Sequence, residues 1–300
     1  MTEVPDITVI IPTFQREEVL VDTIHSILKQ TYKNFELIVV DQTEKHLPAT
    51  IAALESIQDK RLRLFKVKPA SVTAAKNFAI KKATAPVALT IDDDILPNKN
   101  LIKFHLLAYH NNPGISAVAG RVVQDGFPTI DDVLRFDQYG ISHGGFTSMK
   151  PGYTNAFPGG NCSIKISDAL KVGGFDTRYY ANSFREENDM SLKMARAKMK
   201  IYFEPKAEVF HLATPSGGSR SKKYTELYDT PMFYRNELFF TLRVVKRGNW
   251  VEALRRKYRE YCLVVRHGRA YKRRVLFFLG LIAAIWRLSF GRQVIAKEVI

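Results

Sequence analysis

The stretch Val87-Ala88-Leu89-Thr90-Ile91-Asp92-Asp93-Asp94 joins an apolar run directly to three carboxylates. A short apolar run of this kind is typical of a strand that is buried on both faces of a parallel sheet. Two similar runs precede it, Ile7 to Ile11 before Pro12 and Leu37 to Val40 before Asp41. Each run predicts a buried strand that ends where the chain turns polar or reaches proline.

Helical and strand patterns alternate through the first 120 residues. The segments with helical character are 20–28, 74–83 and 101–109, and further strands are predicted at 62–67 and 116–120. This alternation predicts an α/β protein with a doubly wound, mostly parallel, Rossmann-like sheet. After Gly120 we expect long loops. The later predicted elements are short helices near 167–171 and 188–198 and two strands, 201–203 and 208–211.

Polar residues follow three of the predicted strands. Pro12-Thr13, Asp41 and the triplet Asp92 to Asp94 each come directly after an apolar run. Ligands of open α/β sheets bind outside the carboxyl ends of the strands, so these side chains should meet at one rim. The sequence therefore selects a ligand site at this rim before any function is assigned.

The three aspartates favour a bound cation, because neighbouring carboxylates repel one another. In an extended chain Asp92 and Asp94 share a face, while Asp93 points elsewhere. Convergent oxygens of this kind suit Mg²⁺ or Mn²⁺ shared with a diphosphate. The same residues also fit a solvated turn that caps the next segment, and phosphatases and phosphoacceptor domains have similar strand ends.

A second acidic cluster, Arg185-Glu186-Glu187-Asn188-Asp189, lies at the predicted start of a helix. Acidic residues favour the first turn of any helix, which explains many such clusters without a catalytic role. The functional interpretation is a general base that takes a proton from a sugar hydroxyl. His211 closes a predicted strand, where a histidine can be a metal ligand or a structural hydrogen-bonding group.

These segments together resemble the family 2 glycosyltransferases of the GT-A fold over about residues 5–212. Eight segments follow the order and approximate spacing of that family: Ile7 to Phe14, Leu37 to Asp41, Ala75-Lys76-Asn77, Ile91 to Asp94 with Pro97, Gly173-Gly174-Phe175-Asp176, Glu186 to Asp189, Tyr202 to Pro205, and His211. The resemblance implies an inverting enzyme that moves a sugar from a UDP- or dTDP-type nucleotide sugar. Its acceptor would be a hydroxyl of a saccharide or lipid-linked saccharide, in cell-surface polysaccharide or glycan assembly.

The resemblance also implies roles for individual residues. The residues implied to bind the nucleotide are Pro12, Thr13, Phe14, Arg16, Asp41, Lys76, Asp92 and Asp93. The implied ligands of Mn²⁺ or Mg²⁺ are Asp92, Asp94 and His211. The implied walls of the donor and acceptor sugar pocket are Gly159, Gly160, Asn161, Phe175, Asp176 and Asp189. Glu187 aligns with the catalytic base, but aspartate is commoner there, so Glu186 is the alternative; Phe14 stands where tyrosine is frequent.

The basic residues are concentrated at the C-terminal end. Residues 241–300 carry 15 lysines and arginines against 3 acidic residues, a net charge of +12, whereas the first 240 residues carry only +3. Within this segment, residues 275–286 contain no charge. Twelve helical residues span about 18 Å, less than the ~30 Å core of a bilayer, so we expect an interfacial helix and not a membrane span. The alternative is a buried helix that caps the catalytic domain.

The resulting domain prediction has three parts. Residues 1–212 form the catalytic domain, with a nucleotide-binding half to about residue 120 and an acceptor half from about 121 to 212. Residues 213–240 form a flexible lid and connecting segment. Residues 241–300 form a basic, amphipathic helical extension that binds an anionic membrane surface. With no recognisable signal sequence and two distant cysteines, Cys162 and Cys262, the expected location is cytoplasmic, on the inner face of the cell membrane.

Two other functional classes were weighed against this one. A basic tail suits a nucleic-acid-binding protein, but no nucleic-acid motif accompanies the charge and the apolar stretch favours lipid, so no nucleic-acid partner is predicted. An inactive membrane scaffold would not need the carboxylates that the chemistry requires, and here they are all present.

Overall fold

The computed structural model describes residues 4–179, 181, 183–218, 229–263 and 270–299. Its centre is a sheet that contains the strands β1 Ile7–Thr13, β2 Phe35–Asp41, β3 Leu62–Lys68, β4 Val87–Ile91, β5 Ile95–Pro97, β6 Ile115–Val123, β9 Gly152–Thr154, β10 Asn161–Lys165, β11 Lys200–His211 and β12 Lys297–Glu298. Their order in the sheet is β12-β3-β2-β1-β4-β10-β6-β11-β5, and β9 pairs with β11. A separate two-stranded sheet joins β7 Arg135–Phe136 to β8 Ser142–His143.

The helices cover both faces of the sheet and the C-terminal side of the molecule. They are α1 Glu18–Leu28, α2 Pro48–Glu55, α3 Val72–Lys82, α4 Leu101–Asn111, α5 Ile166–Lys171, α6 Glu186–Arg196, α7 Pro231–Val244, α8 Trp250–Tyr258 and α9 Ala270–Phe290. A 3₁₀ turn, Arg247–Asn249, precedes α8, and a π-helical turn, Arg259–Leu263, follows it.

The predicted α/β fold with a mostly parallel sheet is confirmed. Strands β1, β2 and β4 are buried along their whole lengths and run parallel. One apolar cluster lies on each face of the sheet: Ile7, Val9 and Ile11 face one cluster, and Ile10 faces the other. Because successive side chains of a strand point to opposite faces, these continuous apolar runs supply both layers of the core.

The second half of the sheet departs from simple alternation. Strand β10 runs antiparallel between β4 and β6, while β6 and β11 are parallel to each other. The two strands predicted at 201–203 and 208–211 are one strand, β11. Its pairing with β6 is interrupted between Glu204 and Glu208. The interruption includes Pro205, which has no N–H to donate, so the sequence pattern breaks while the strand continues.

The C-terminal helices are joined closely to the catalytic domain, which corrects two predicted boundaries. The predicted connecting segment 213–240 contains most of α7, whose side chains are largely buried, and α7 continues past residue 240. Helices α8 and α9 pack against α7 in one apolar cluster, and β12 pairs with the edge strand β3. The predicted extension is therefore not a separate appendage, because its apolar residues complete a shared core.

Helix α9 is longer than its uncharged stretch, with 21 residues. Its charged residues include Lys272, Arg273, Arg274 and Arg287. None of the helices in the described part of the chain is long and apolar enough to cross a bilayer.

Candidate active site

The predicted rim of polar residues forms at the carboxyl ends of β1, β2 and β4. Thr13 and Asp41 are the last residues of β1 and β2 and lie side by side in the sheet. The Thr13 hydroxyl donates a hydrogen bond to Asp93 Oδ2 at 2.7 Å. Asp41 is buried, and its two oxygens accept from the Thr43 amide at 2.8 Å and contact His46 Nε2 at 3.1 Å. The role of Asp41 in binding the nucleotide stays a prediction.

Arg16 binds the aspartate triplet. Its guanidinium contacts Asp93 Oδ1 at 3.1 Å and Asp94 Oδ2 at 2.8 Å, and it is itself buried. It also donates to the carbonyls of Thr214 and Ser216. The sequence prediction assigned Arg16 to the nucleotide. In the structure, its planar guanidinium neutralises two buried carboxylates and binds residues 214–216.

The first residues of the predicted lid pack against this rim. The amide of Gly218 donates to the Phe14 carbonyl at 2.7 Å, and both hydrogen-bond donors of Thr214 reach Asp94 Oδ2 at 3.0 Å. Gly217 has a φ of +77°, and a Cβ there would lie 2.0 Å from the Gln15 carbonyl oxygen. Residues 219–228, which belong to the predicted lid and connecting segment, lie outside the described residues.

Asp92, Asp94 and His211 form a cluster that fits a metal ion. One ligand atom from each lies within 4.8 Å of the other two. His211 Nε2 is 3.3 Å from Asp94 Oδ1 and 4.0 Å from Asp92 Oδ2. On the other side of the ring, Nδ1 is 2.8 Å from Gln124 Oε1. That contact favours the tautomer with the ring proton on Nδ1, as the outer hydrogen bonds of metal-binding histidines do, and Nε2 faces the two aspartates.

The two buried aspartates differ in their titration. Burial raises the pKa of Asp93 to about 6, although Arg16 and Thr13 oppose this shift. Burial also acts to raise the pKa of Asp94, but its contacts with His211 and Arg16 outweigh burial and hold the pKa below its usual value. Asp94 is therefore the carboxylate in this pair that stays charged most readily, as a metal ligand must.

Gly159 and Gly160 connect this cluster to the second acidic cluster. A Cβ on Gly160 would lie 2.0 Å from Asp92 Oδ2, so only glycine fits against this carboxylate. A Cβ on Gly159 would lie 3.6 Å from Cβ and Cγ of Glu187. Asp92 and Glu187 thus lie against adjacent residues of one turn, and both are partly exposed. The structure brings these two predicted site residues together.

Glu186 is buried and bound by Lys76. The Lys76 ammonium lies 2.5 Å from Glu186 Oε1 and 3.2 Å from the Gly159 carbonyl oxygen, and it stacks over the Phe175 ring at 5.1 Å. Burial raises the pKa of Glu186 to about 7, assisted by Glu187 and opposed by Lys76. Burial alone would lower the pKa of Lys76, but the Glu186 carboxylate reverses the shift and raises it.

The contact of Lys76 with the nucleotide stays a prediction, and the structure adds a buried ion pair. The side chain was expected to contact the nucleotide, but only 2% of Lys76 is exposed and its ammonium is used within the protein. A buried ammonium needs a carboxylate partner, and Glu186 supplies it. In the described part of the chain, Glu186 Oε2 is buried without a hydrogen-bond partner.

The C-terminal helices hold helix α6, which carries both glutamates. Arg185, just before α6, has a φ of 76° and contacts Glu237 Oε2 of α7 at 2.7 Å. The other Glu237 oxygen accepts from Lys257 of α8. Further along α6, Asp189 contacts Arg243 of α7 at 3.0 Å. Two buried ion-pair groups thus fix the start of α6 relative to α7.

Four of the predicted sugar-pocket residues have polar or packing partners within the protein. The Asn161 side chain is fully buried, donates to the carbonyls of Arg121 and Ala207, and meets His105 Nε2 at 2.9 Å. Asp176 is bound by Arg178 and Arg243, and Asp189 shares Arg243. Phe175 is buried beneath Lys76, and its backbone is bound at both ends by Asn77. Each of these groups has partners inside the protein, and its role in binding a sugar stays a prediction.

Several residues of the site were missed by the sequence analysis. Gln124 and Thr214 lie in segments that carry no motif, and only folding brings Gln124 to His211 and Thr214 to Asp94. Glu237 and Arg243 lie in α7, where charged residues interrupt an apolar pattern. That interruption is the one signal in the sequence that predicts buried ion pairs there.

Comparison with known proteins agrees with this geometry. The family model of glycosyl transferase family 2 matches residues 8–166 of this chain. A glucosyl-dolichyl phosphate glucuronosyltransferase of Haloferax volcanii is 29% identical over 177 residues, which are 57% of this chain and 56% of the relative. An uncharacterized glycosyltransferase of Rickettsia felis is 35% identical over 108 residues, 35% of this chain and 17% of the relative. The chain thus matches less than two thirds of the length of these curated relatives.

Solved structures share the fold. GalNAc-T7 with UDP, GalNAc and Mn²⁺ superposes with a TM-score of 0.65 at 14% identity, over 96% of this chain and 58% of that one. A mannosyltransferase from Pyrobaculum calidifontis in complex with GDP-Man and Mn²⁺ gives 0.57 at 16% identity, over 97% and 89%. Since the family match spans more than half of the chain and the architecture agrees, this chain belongs to glycosyl transferase family 2 and has the GT-A fold.

Proposed function

We propose that the protein transfers a sugar from a UDP- or dTDP-type nucleotide sugar to an acceptor hydroxyl, with inversion at the anomeric carbon. The observation that carries this proposal is the position of Glu187 and Asp92 against the adjacent residues Gly159 and Gly160. A carboxylate at Glu187 takes the proton of the acceptor hydroxyl as its oxygen attacks the anomeric carbon. The bond to the nucleoside diphosphate breaks in the same displacement, and the diphosphate leaves at the aspartate rim.

A divalent metal, Mn²⁺ or Mg²⁺, would be held by Asp92, Asp94 and His211. Their convergence within 4.8 Å and the lowered pKa of Asp94 support this assignment. When bound, such an ion supplies positive charge against the leaving diphosphate. Arg16 and Thr214 contact Asp94 Oδ2, and His211 Nε2 lies 3.3 Å from Oδ1, so Oδ1 is the oxygen that would face a cation.

We further propose a lipid-linked saccharide as acceptor, in the assembly of a cell-surface polysaccharide or glycan on the inner face of the membrane. Helix α9 has two apolar faces. One packs on α7, and the other exposes Phe278, Ile282 and Trp286, with Ile282 66% exposed. A row of exposed apolar side chains of this kind is typical of a docking surface. The name of the Haloferax relative, which includes a dolichyl phosphate, is consistent with a lipid acceptor.

An anionic bilayer suits the exposed face of α9 better than a second copy of the chain. Lys272 and Arg274 are exposed at the start of α9, and Arg292 is exposed just after its end. Two copies would bring like charges together, because residues 241–300 carry a net +12. Lipid phosphates would neutralise the same charges while the apolar side chains enter the interface.

The test of the proposed reaction is release of nucleoside diphosphate from a panel of nucleotide sugars, with native lipid extract as acceptor. We expect turnover with one UDP- or dTDP-sugar in Mn²⁺ or Mg²⁺, loss in excess chelator, and recovery when metal is restored. Asp94→Asn should imitate the chelator, whereas Asp125→Asn, in a loop beyond Gln124, serves as the control. Full turnover in chelator would exclude the metal, and no turnover with any sugar nucleotide would exclude the reaction.

A further inference from the structure

A second site lies away from the aspartate rim, where α6, α7, α8 and α9 meet. It is an open groove of about 470 Å³. Among the described residues, its wall includes four cationic side chains, Arg196, Arg243, Lys246 and Arg247, and no acidic one. Trp250, Leu242 and Leu288 supply its apolar part.

The four cations differ in how their charge is compensated. Arg243 is neutralised by Asp176 and Asp189. Arg196 donates to the Arg243 carbonyl oxygen at 3.1 Å, and Arg247 lies over the Trp250 ring at 5.8 Å. Among the residues that the structure describes, Arg196, Lys246 and Arg247 form no ion pair with a carboxylate. Three like charges facing one groove repel each other, so an anion there would be stabilised.

The chemistry of the groove suits a phosphate group. Two arginines offer planar forks that match phosphate oxygens, and a lysine adds a compact charge. The Trp250 indole N–H already donates to the Val245 carbonyl at 3.0 Å, so its ring contributes surface and not a hydrogen bond. An aromatic ring between cations and apolar side chains is typical of residues at a membrane interface.

The position of the groove indicates the source of the phosphate. Leu288, in its wall, belongs to α9, and Ile285, one turn earlier on the same side of the helix, is half exposed. We infer that the groove binds the phosphate headgroup of an anionic lipid when the exposed face of α9 rests on a bilayer. This inference builds on the proposed membrane attachment and adds a defined headgroup site to it.

The experiment compares vesicles whose anionic lipid is either phosphatidic acid or phosphatidylglycerol, prepared to equal surface charge in phosphatidylcholine. Binding by the full chain is measured by sedimentation. Lys246→Ala/Arg247→Ala removes two exposed charges from the groove and leaves Arg243 in its buried pairs. Lys272→Ala/Arg274→Ala removes two exposed charges outside it and is the matched control. Thermal melting of each variant checks that both remain folded.

We expect the wild type to bind phosphatidic acid at least fivefold more tightly than phosphatidylglycerol, because a terminal phosphate enters the groove more fully. The groove variant should lose this preference. The control variant should bind both kinds of vesicle more weakly but keep the preference for phosphatidic acid. An unchanged preference in the groove variant would overturn the headgroup site while leaving membrane attachment intact.

Titration of the soluble protein with inorganic pyrophosphate separates the two sources of phosphate. Micromolar binding of pyrophosphate that depends on Lys246 and Arg247, without binding to either vesicle, would overturn the lipid as ligand and also remove membrane attachment. If the protein binds vesicles but binds pyrophosphate only at millimolar concentration, the result supports the lipid headgroup as the ligand.

Discussion

Adjacent glutamates in the site have opposite environments. Glu186 is buried against Lys76, and Glu187 is partly exposed beside the Gly159-Gly160 turn. Two neighbouring residues at a helix start point about 100° apart, so they cannot serve one substrate atom together. The structure thereby gives a physical reason to prefer Glu187 as the base, which the sequence alone could not supply.

The first prediction separates their roles. Glu187→Gln keeps the shape of the side chain but cannot accept a proton, so the single-turnover transfer rate should fall by about 10²–10⁴ with little change in donor affinity. Glu186→Gln should instead lower thermal stability, because Lys76 loses its charged partner in a buried site. A folded Glu186→Gln protein without transfer activity, beside a nearly normal Glu187→Gln protein, would reverse the assignment.

A second residue-scale prediction concerns His105. This side chain is fully buried between Asn161 and Ser163, and burial lowers its pKa to about 4 from 6.5. Between those pH values the unfolded chain takes up a proton that the folded chain does not, so stability must fall as the pH falls. The loss from pH 7 to 5 should be about 2 kcal/mol.

Urea denaturation at both pH values measures this loss. His105→Gln should show a smaller drop in the free energy of unfolding between pH 7 and 5, since the buried titrating group is gone. His25→Gln, on the exposed side of α1, is the control and should keep the wild-type slope. Equal slopes for His105→Gln and wild type would contradict a neutral buried histidine.

At the scale of elements, helix α6 depends on α7 and α8 for its position. Glu237 is fully buried and holds both Arg185 and Lys257. Asp189 and Asp176 are held by Arg243 of the same helix. Glu186 and Glu187 therefore begin a helix that residues far along the chain fix in place.

We predict that Glu237→Gln lowers the free energy of unfolding by about 3–5 kcal/mol, because it leaves two buried cations without a carboxylate. At a temperature where the variant is folded, kcat should fall more than the donor KM rises, since the start of α6 shifts while the aspartate rim is separate. Denaturant unfolding and steady-state kinetics measure the two effects.

Glu252 offers a matched control for Glu237. It also contacts two cations, Arg255 and Arg256, but on the exposed side of α8. Glu252→Gln should leave both stability and turnover unchanged, because solvent screens exposed pairs. Similar effects from the two substitutions would mean that burial of the Glu237 cluster is not what matters.

At the scale of the whole molecule, α9 lies between the core and the outside. Leu276, Phe277 and Ala284 face the core, while Ile282 and Trp286 face outward. Removing residues 241–300 would cut α7 and expose this core, so truncation tests folding and not membrane binding. Substitution on the outer face alone is the sharper experiment.

We predict that Ile282→Gln/Trp286→Gln reduces partition into vesicles containing phosphatidylglycerol by about ten- to hundredfold, since two large apolar side chains no longer enter the interface. The melting temperature should stay close to that of the wild type. Leu47→Gln/Met149→Gln changes two equally exposed apolar residues elsewhere and should not affect partition. Unchanged partition of the α9 variant would remove this face as the membrane contact.

The sequence by itself determined the parallel half of the sheet and the location of the rim. Ile7 to Thr13, Phe35 to Asp41 and Val87 to Ile91 are apolar enough to be buried on both faces, and their ends are polar. Local patterns of this kind are decided within a few residues, so they can be predicted without knowing the fold. The convergence of Asp92, Asp94 and His211 followed from strand ends and family resemblance together.

Only the tertiary structure decided which polar and charged side chains are bound within the protein. Lys76, Asn161, Asp176 and Asp189 match family motifs, yet each is satisfied by partners that are distant in sequence. The same holds for α7, which the sequence assigned to a connecting segment and an appendage. Its apolar face and its buried ion pairs acquire meaning only against α6, α8 and α9, because burial depends on what the completed fold brings into contact.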